Sequence, residues 1–515
     1  MSRPQRTALN LAIVSCASLV QIVNQFVFLK INSYLFGTTA ETDALAFALT
    51  LATAASAMVT GSLAYVLVPD LVAKFENDDE ERGWQLTSYV GLVMLLSTGL
   101  VAGLLFLLAG PICELLYGTG SEAAGVSGGE ELSKAALYLR ILSLQIVLQG
   151  MISWAQAVLH SQHQFSWAAA GGVVGTGLQV LLMYCIGGSS VSWIAWAILF
   201  GSAVSLAIHL PPLIGKLRFP RADNANLLRL LSALWPLLLG AAFQRLEPVF
   251  TQSWAASLDE GIATLLHRGT KILMALLTIG TSSLALVAFP QLAGRYANEG
   301  KEGFGEHFSL CARRMALILV PIAIGVSLFA TPIVRDLLEG GEFTLEDSQT
   351  LGILVTLMMG LFVGASVAEL VSRGFYVLGD TRTPTVIGVL CLAVCLCIRY
   401  VLYRVNGAWG MSLGISIYFV VTAAVLTISL RRRVGVPVLE GLGVAMVQAV
   451  AASLVACGCC FLVYHWKAGG TWVAGPVGCI SYCLALLAVQ NDDAKRAAKA
   501  AQLKARALMR GLNGD

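Results

Sequence analysis

The sequence predicts an all-α integral membrane protein: about 14 transmembrane helices, two parallel six-helix repeats forming two lobes around a central cleft, plus two extra C-terminal helices. Three observations carry that expectation. First, 57% of the 515 residues are hydrophobic and 12% are charged, at a mean hydropathy of +0.77. A soluble chain carries about 25% charged residues, so this one has too little polar surface to clothe a water-soluble body. Second, the apolar residues fall into runs long enough to cross a hydrocarbon core of about 30 Å, which takes roughly 20 residues at 1.5 Å each. Third, one phrase is written twice: GSLAYVLVPDL at 61–71 and SSLALVAFPQL at 282–292 share six of eleven positions at a spacing of 221.

In chain order the runs are 8–34, 42–70, 86–109, 134–159, 164–187, 190–214, 227–257, 262–292, 308–334, 347–376, 384–403, 408–430, 438–464 and 471–490. Each is read as a helix, because backbone groups in lipid must be bonded within their own segment. Arg3 and Arg6 precede the first, and Ile13-Val14-Ser15-Cys16 imitates a lipobox. Its apolar run nevertheless continues to about Phe36, beyond any cleavage site, so an uncleaved helix is expected. The second closes at Pro69, and Pro111 after the third begins a short amphipathic stretch. The fifth carries GGVVGTG at 171–177, suited to close helix contact. The seventh is interrupted by Glu247-Pro248, where proline frees a carbonyl one turn earlier. The tail KRAAKAAQLKARALMR is expected to lie as a basic helix on anionic lipid.

The spacing of 221 recurs at Pro111-Ile112 and Pro332-Ile333. The chain therefore divides into an N-lobe (1–222), a C-lobe (223–435), two added helices (436–490) and a basic tail (491–515). Six helices per repeat is an even number, so both copies enter from one side and are related by a pseudo-twofold axis along the membrane normal. Two such lobes enclose a cleft that opens alternately to either side, the geometry of transport. Basic residues gather on one face: Arg3, Arg6, Lys74, Arg82, Lys216, Arg218, Arg221, Arg295, Lys301 and Arg431–Arg433. The positive-inside rule places that face, and both termini, in the cytoplasm.

The stretch FGTTAETDALAFALTLATAASAMVTGSLAYVLVPDL (36–71) resembles the opening of the MviN/MurJ family of lipid II flippases. So does GEFTLEDSQTLGILVTLMMGLFVGASVAELVSRGFYVLGDTRTPTVIGVL (341–390), with its GxFT, its RxFY and its D-TRTP. The resemblance runs over residues 8–435 and implies the fold of the multidrug/oligosaccharidyl-lipid/polysaccharide exporter superfamily. It further implies outward movement of a lipid-linked sugar precursor across a bacterial cytoplasmic membrane. One departure is informative. The positions where the family places cleft arginines and a neighbouring acid hold Ile22, Phe28 and Leu29, and the second-helix arginine pair is replaced around Ala55 and Ser56. Asp43 of the TDA motif and the eighth-helix cation Lys271 are retained.

Charge inside the hydrocarbon costs at least ~2.5–3.5 kcal/mol per residue on insertion scales, so each such group needs a reason. Lys271 is nine residues into the eighth segment, and His267 and Arg268, four and three residues earlier, share roughly one face with it. That basic ladder suits a pyrophosphate in a dry cleft; an ion pair with Glu247 is the structural alternative. Lys30 either snorkels to the outer interface or joins Asn24 and Gln25 in a polar cleft stripe. Glu247, Arg245 and Glu369 are candidates for coupling, although Glu369 is also spaced to pair with Arg373. The eleventh segment lacks the Asn and Asp that would complete a sodium site, which favours coupling to H⁺ or membrane potential over Na⁺.

No cofactor and no metal are expected. The twelve cysteines sit mostly in apolar runs, with no histidine spaced to complete a site. An enzyme of glycan assembly would want paired carboxylates or a His and an acid presented together, and none appears. A drug/cation exporter would favour acids over cations in the cleft. The expected partners are a polyprenyl-linked glycolipid and anionic lipids at the tail, with no nucleic acid; oligomeric state leaves no mark in the sequence.

Overall fold

The computed structural model describes residues 3–60, 80–118, 128–162, 164–218, 245–278, 283–465 and 470–488. The first copy of the repeated phrase, at 61–71, and the basic tail lie outside them. Among the described residues the longer helical stretches are, in order, α1 (Arg3–Phe36), α2 (Ala40–Thr60), α3 (Glu80–Leu107), α4 (Gly128–Ser161), α5 (Phe165–Ile186), α6 (Ser192–His209), α7 (245–255), α8 (Ile262–Leu277), α9 (Ser283–Leu338), α10 (Leu345–Leu357), α11 (Met359–Val377), α12 (Arg382–Val434), α13 (Leu442–His465) and α14 (Gly470–Ala488), with short helical turns at Ala109–Cys113, Glu114–Gly118 and Gly187–Ser189. Among the described residues, nine helices are long and apolar enough to cross a membrane.

Glycine sets where the long stretches break. Gly300 (φ 66°, ψ −148°) interrupts α9 and Gly407 (φ 53°, ψ −131°) interrupts α12. On either side of Gly407 the chain runs back on itself: Cys391, Leu392 and Cys395 pack with Tyr418, and a side chain at Gly414 would collide with Arg399. Residues 382–434 are thus two helices in sequence, the eleventh and twelfth predicted segments.

The chain forms two compact units. One contains residues 1–268, 337–348 and 405–408; the other contains 269–336, 349–404 and 409–515. In the first, Ala44, Ala48, Ala52, Ala135 and Ala195 let α2, α4 and α6 approach closely around Phe47, Tyr138 and Leu142. A second cluster forms around Trp154, whose Nε1 donates to the buried carbonyl of Thr87 at 3.0 Å. In the second unit, α11 lies directly on the backbone of α12: a Cβ at Gly364 would collide with Phe419 and Val420 main-chain atoms. Tyr482 of α14 donates to the carbonyl of Leu317 at 2.7 Å.

The D-TRTP motif organises the start of α12. The Asp380 carboxylate accepts the Thr383 N–H at 3.0 Å and the Thr383 hydroxyl at 2.7 Å, with Arg433 at 3.6 Å. These bonds, led by the Thr383 N–H, hold its carboxyl below the usual aspartate value of 3.8. A lowered carboxyl stabilises the fold above its unfolded value and loses that contribution as pH falls through its folded one. Asp380→Asn should therefore melt below the wild type at pH 7. The gap should close below pH 3.8, as read by thermal denaturation across pH. Separately, Gly364→Ala should cost on the order of 1–3 kcal/mol by forcing α11 from α12. Gly458→Ala, inside α13 with nothing within 4 Å of its added methyl, should instead raise the same melting curve, by up to about 1 kcal/mol.

Candidate functional site

Three short chain reversals meet at one end of the helices, all inside the first unit. Helix α1 stops at Gly37, whose φ of 56° suits a residue without Cβ, and a Cβ there would collide with the Glu342 backbone. The GxFT motif supplies the second reversal. Gly341 (φ 59°) lies against the Tyr34 carbonyl, and the N–H of Glu342 donates to that same oxygen at 2.9 Å. Thr344 and Asp347 cap α10 reciprocally: the Thr344 N–H donates to Asp347 Oδ2 at 2.8 Å, and the Asp347 N–H to Thr344 Oγ1 at 3.1 Å. Thr38 then donates to the other Asp347 oxygen at 2.5 Å.

The third reversal is the N-terminus of α8, whose first N–H groups have no partner within the helix. Asp43 of α2 supplies one from outside. It is 5% exposed and accepts the N–H of Gly261 at 2.7 Å, the N–H of Thr264 at 2.7 Å and the Thr264 hydroxyl at 2.6 Å. A carboxylate on a helix N-terminus is favoured both as a cap and by the helix dipole. The counterpart of Asp43 at the repeat spacing of 221 is Thr264 itself. A residue that touches its own counterpart lies beside the axis relating the copies, so the two repeats meet here. Close by, Tyr34 of α1 accepts from the Glu342 N–H and Ser253 of α7 donates to the carbonyl of Leu116.

Arg268 completes the cluster. It is 4% exposed, donates from Nη2 to the Gly37 carbonyl at 2.7 Å, and lies 5.2 Å over the Phe343 ring. Asp43 and Asp347 are the acids whose charge it feels. One guanidinium thus holds the α1 terminus, the GxFT reversal and the capping aspartates in one arrangement. His267, half-buried, has Nδ1 3.2 Å from Thr50 Oγ1. The Thr50 proton is committed to the Ala46 carbonyl, so Thr50 accepts and His267 carries its proton on Nδ1.

The predicted basic ladder is therefore divided. His267 and Arg268 turn into the first unit, whereas Lys271, three residues on, has an exposed side chain in the second. Lys30 donates to the Glu339 carbonyl at 2.8 Å, so it also fastens the same helix ends. Asn24 donates to Val173 O and Thr176 Oγ1 at 3.3 and 3.0 Å, joining α1 to α5, and Gln25 is exposed. Glu247 is buried and accepts from the Thr251 hydroxyl at 3.1 Å, while Arg245 is exposed. Glu369 takes Arg373 at 2.7 Å, the i,i+4 pair its spacing offers. Sequence reasoning missed Gly37, Gly261, Phe343 and Asp347; the GxFT and FGTT motifs were their only signal.

Residues 12–480 match the family described as lipid II flippase MurJ. The chain is similar to the lipid II flippase MurJ of Burkholderia cenocepacia, 24% identical over 447 residues that cover 83% of this chain and 85% of that one. It is also similar to the probable lipid II flippase MurJ of Thermotoga maritima, 24% identical over 370 residues covering 70% and 72%. Among solved structures, a lipid II flippase MurJ in an inward closed conformation matches with a TM-score of 0.76 at 16% identity, covering 94% of this chain and 99% of that one. A MATE family multidrug resistance transporter of the MOP superfamily, in an inward-facing conformation, matches at 0.65 and 15% identity, covering 82% and 98%. At such identities the structures speak for the fold.

Removing the charge of Asp43 isolates the cap. Asp43→Asn should weaken it by about 0.5–2 kcal/mol. Amide hydrogen exchange in the peptide covering Gly261 and Thr264 should quicken by roughly 2- to 30-fold, with distant α13 unchanged. Unaltered exchange at 261–264 would show that the carboxylate does not hold the α8 terminus.

Proposed function

Because this chain belongs to the MurJ family of lipid II flippases, we propose that it moves lipid II, or a closely related polyprenyl-pyrophosphate glycan, from the inner to the outer leaflet of a bacterial cytoplasmic membrane. It does so by alternating access, with both termini in the cytoplasm, and it transports its substrate without chemically altering it. The observation that supports this most is Lys271. It lies about 14 Å along α8 from the helix start at 1.5 Å per residue, in an apolar segment, with its side chain exposed. Its cationic neighbours are occupied by the outer cluster. An exposed ammonium at that depth suits a doubly charged pyrophosphate, where attraction is weakly screened. With Ile22, Phe28, Leu29, Ala55 and Ser56 at the positions of the family's other charges, headgroup recognition concentrates on this one side chain.

The Asp43–Arg268–Asp347 cluster is the latch that seals the outer side, and it opens to release the headgroup. Coupling runs through H⁺ or the membrane potential, with the buried Glu247 carboxylate as the titratable group. The basic tail steadies the protein on anionic lipid of the inner leaflet. The MATE-like fold admits a drug exporter as a second reading, but a cation-exporting site would place an acid where Lys271 stands.

Lys271→Ala should abolish lipid II translocation in proteoliposomes while leaving the melting curve unchanged, and Lys271→Arg should restore a measurable rate. Retained transport in Lys271→Ala would sink the assignment. Native mass spectrometry with lipid II and simpler polyprenyl-linked sugars then identifies the cargo. Lipid II adducts lost in Lys271→Ala mark a cell-wall flippase, whereas preference for another pyrophosphate glycan marks a changed cargo.

A further inference from the structure

A groove of about 590 Å³ opens between α3, α4 and α6 in the first unit, away from the latch, lined by Gly99, Gly103, Phe106, Leu137, Arg140 and Trp196 among others. Every lining side chain except Arg140 and Ser143 is apolar or an indole. Helix α3 contributes its last two turns, α4 its outer half and α6 its first two turns, so the groove faces the outer leaflet in the orientation given by the basic residues.

Two features are unexplained by packing. Arg140 is exposed and lies about 9 Å along α4 beyond Lys134, where the apolar run begins, at 1.5 Å per residue. A cation at that depth is costly unless paired, yet among the described residues it makes no ion pair. Glu41 and Glu130 are taken by Lys134 at 3.5 and 3.1 Å. The second feature is the glycine pair. Gly99 and Gly103 have nothing within 4 Å of where a Cβ would stand, so no neighbouring helix needs them small. A glycine inside a helix costs about 1 kcal/mol relative to alanine. Here the two glycines cut an open notch on the lipid face, one turn apart and beside the arginine.

We propose that this groove is a binding site for an anionic phospholipid of the outer leaflet. Its phosphate is held by Arg140 and one acyl chain lies in the Gly99–Gly103 notch. Guanidinium presents a planar fork that matches phosphate oxygens. The aliphatic stem of Arg140 lies along apolar wall while its head rises toward the interface. Trp196 closes the upper end, where an indole suits the boundary between lipid and water.

The test is native mass spectrometry of the delipidated full-length protein offered phosphatidylglycerol, phosphatidylcholine and undecaprenyl phosphate at equal concentration. One phosphatidylglycerol adduct should survive activation that strips phosphatidylcholine. The preference should be about fivefold, the equivalent of roughly 1 kcal/mol per basic residue at an anionic surface. Arg140→Gln should abolish it and Arg140→Lys keep part of it. Gly103→Leu should abolish it by filling the notch while Arg140 remains. Equal retention of the two phospholipids, a preference that survives Arg140→Gln, or undecaprenyl phosphate taking the place of phosphatidylglycerol would each overturn the assignment.

Discussion

A helix that ends at a membrane surface must find partners for its last backbone groups, and in this protein the two repeats satisfy each other. At the α8 N-terminus the cap comes from Asp43, in the other copy of the repeat. Every other outer contact is arranged around that bond. Arg268 can be buried because Asp43 and Asp347 offset its charge. Asp347 is fixed because Thr344 and Thr38 hold both its oxygens. Gly37 can turn the chain because its carbonyl has Arg268 as a donor.

As the proposed latch, the cluster is polar and not apolar, and that bears on how it would open. Burying large hydrophobes would close the outer side just as well, but parting them would expose surface at about 25 cal/mol per Å². Hydrogen bonds to charged groups contribute about 1.5–3 kcal/mol net each, and water replaces them when the groups separate. A few such bonds among caps and turns make a closure that holds in one state and releases at modest cost. The same groups cannot be left half-made, because a buried unpaired charge is expensive. The cluster therefore favours two discrete arrangements over a continuum, as alternating access requires.

The fold was legible because lipid makes composition decisive: segments long and apolar enough to span have no alternative to helix. The repeat register was legible too, from the prolines and the phrase at 61–71, and the Asp43–Thr264 contact repeats the same spacing in the packing. Chain breaks were legible where glycine makes them: Gly407 turns the chain between the eleventh and twelfth segments. Of the cluster, Asp43 could be named from its motif. The direction of Arg268 could not. Helical spacing put it on one face with Lys271, but a long side chain three residues away leans toward the turn before it, and there the Gly37 carbonyl and the Phe343 ring are waiting. Nothing in the local sequence of α8 announces a partner 231 residues earlier.

The division of α8 follows from the repeat. Its first two turns are bound to the first unit by Asp43, Thr50 and Gly37, and its later part belongs to the second. Thr50 is the counterpart of Lys271 at the repeat spacing, so at equivalent depth one copy offers a hydroxyl and the other a cation. In α2 that hydroxyl is spent on Ala46 and His267, which leaves the cation as the asymmetric element of an otherwise reciprocal pair. As the proposed anchor, Lys271 is therefore a cation that copying the first repeat alone would not have supplied.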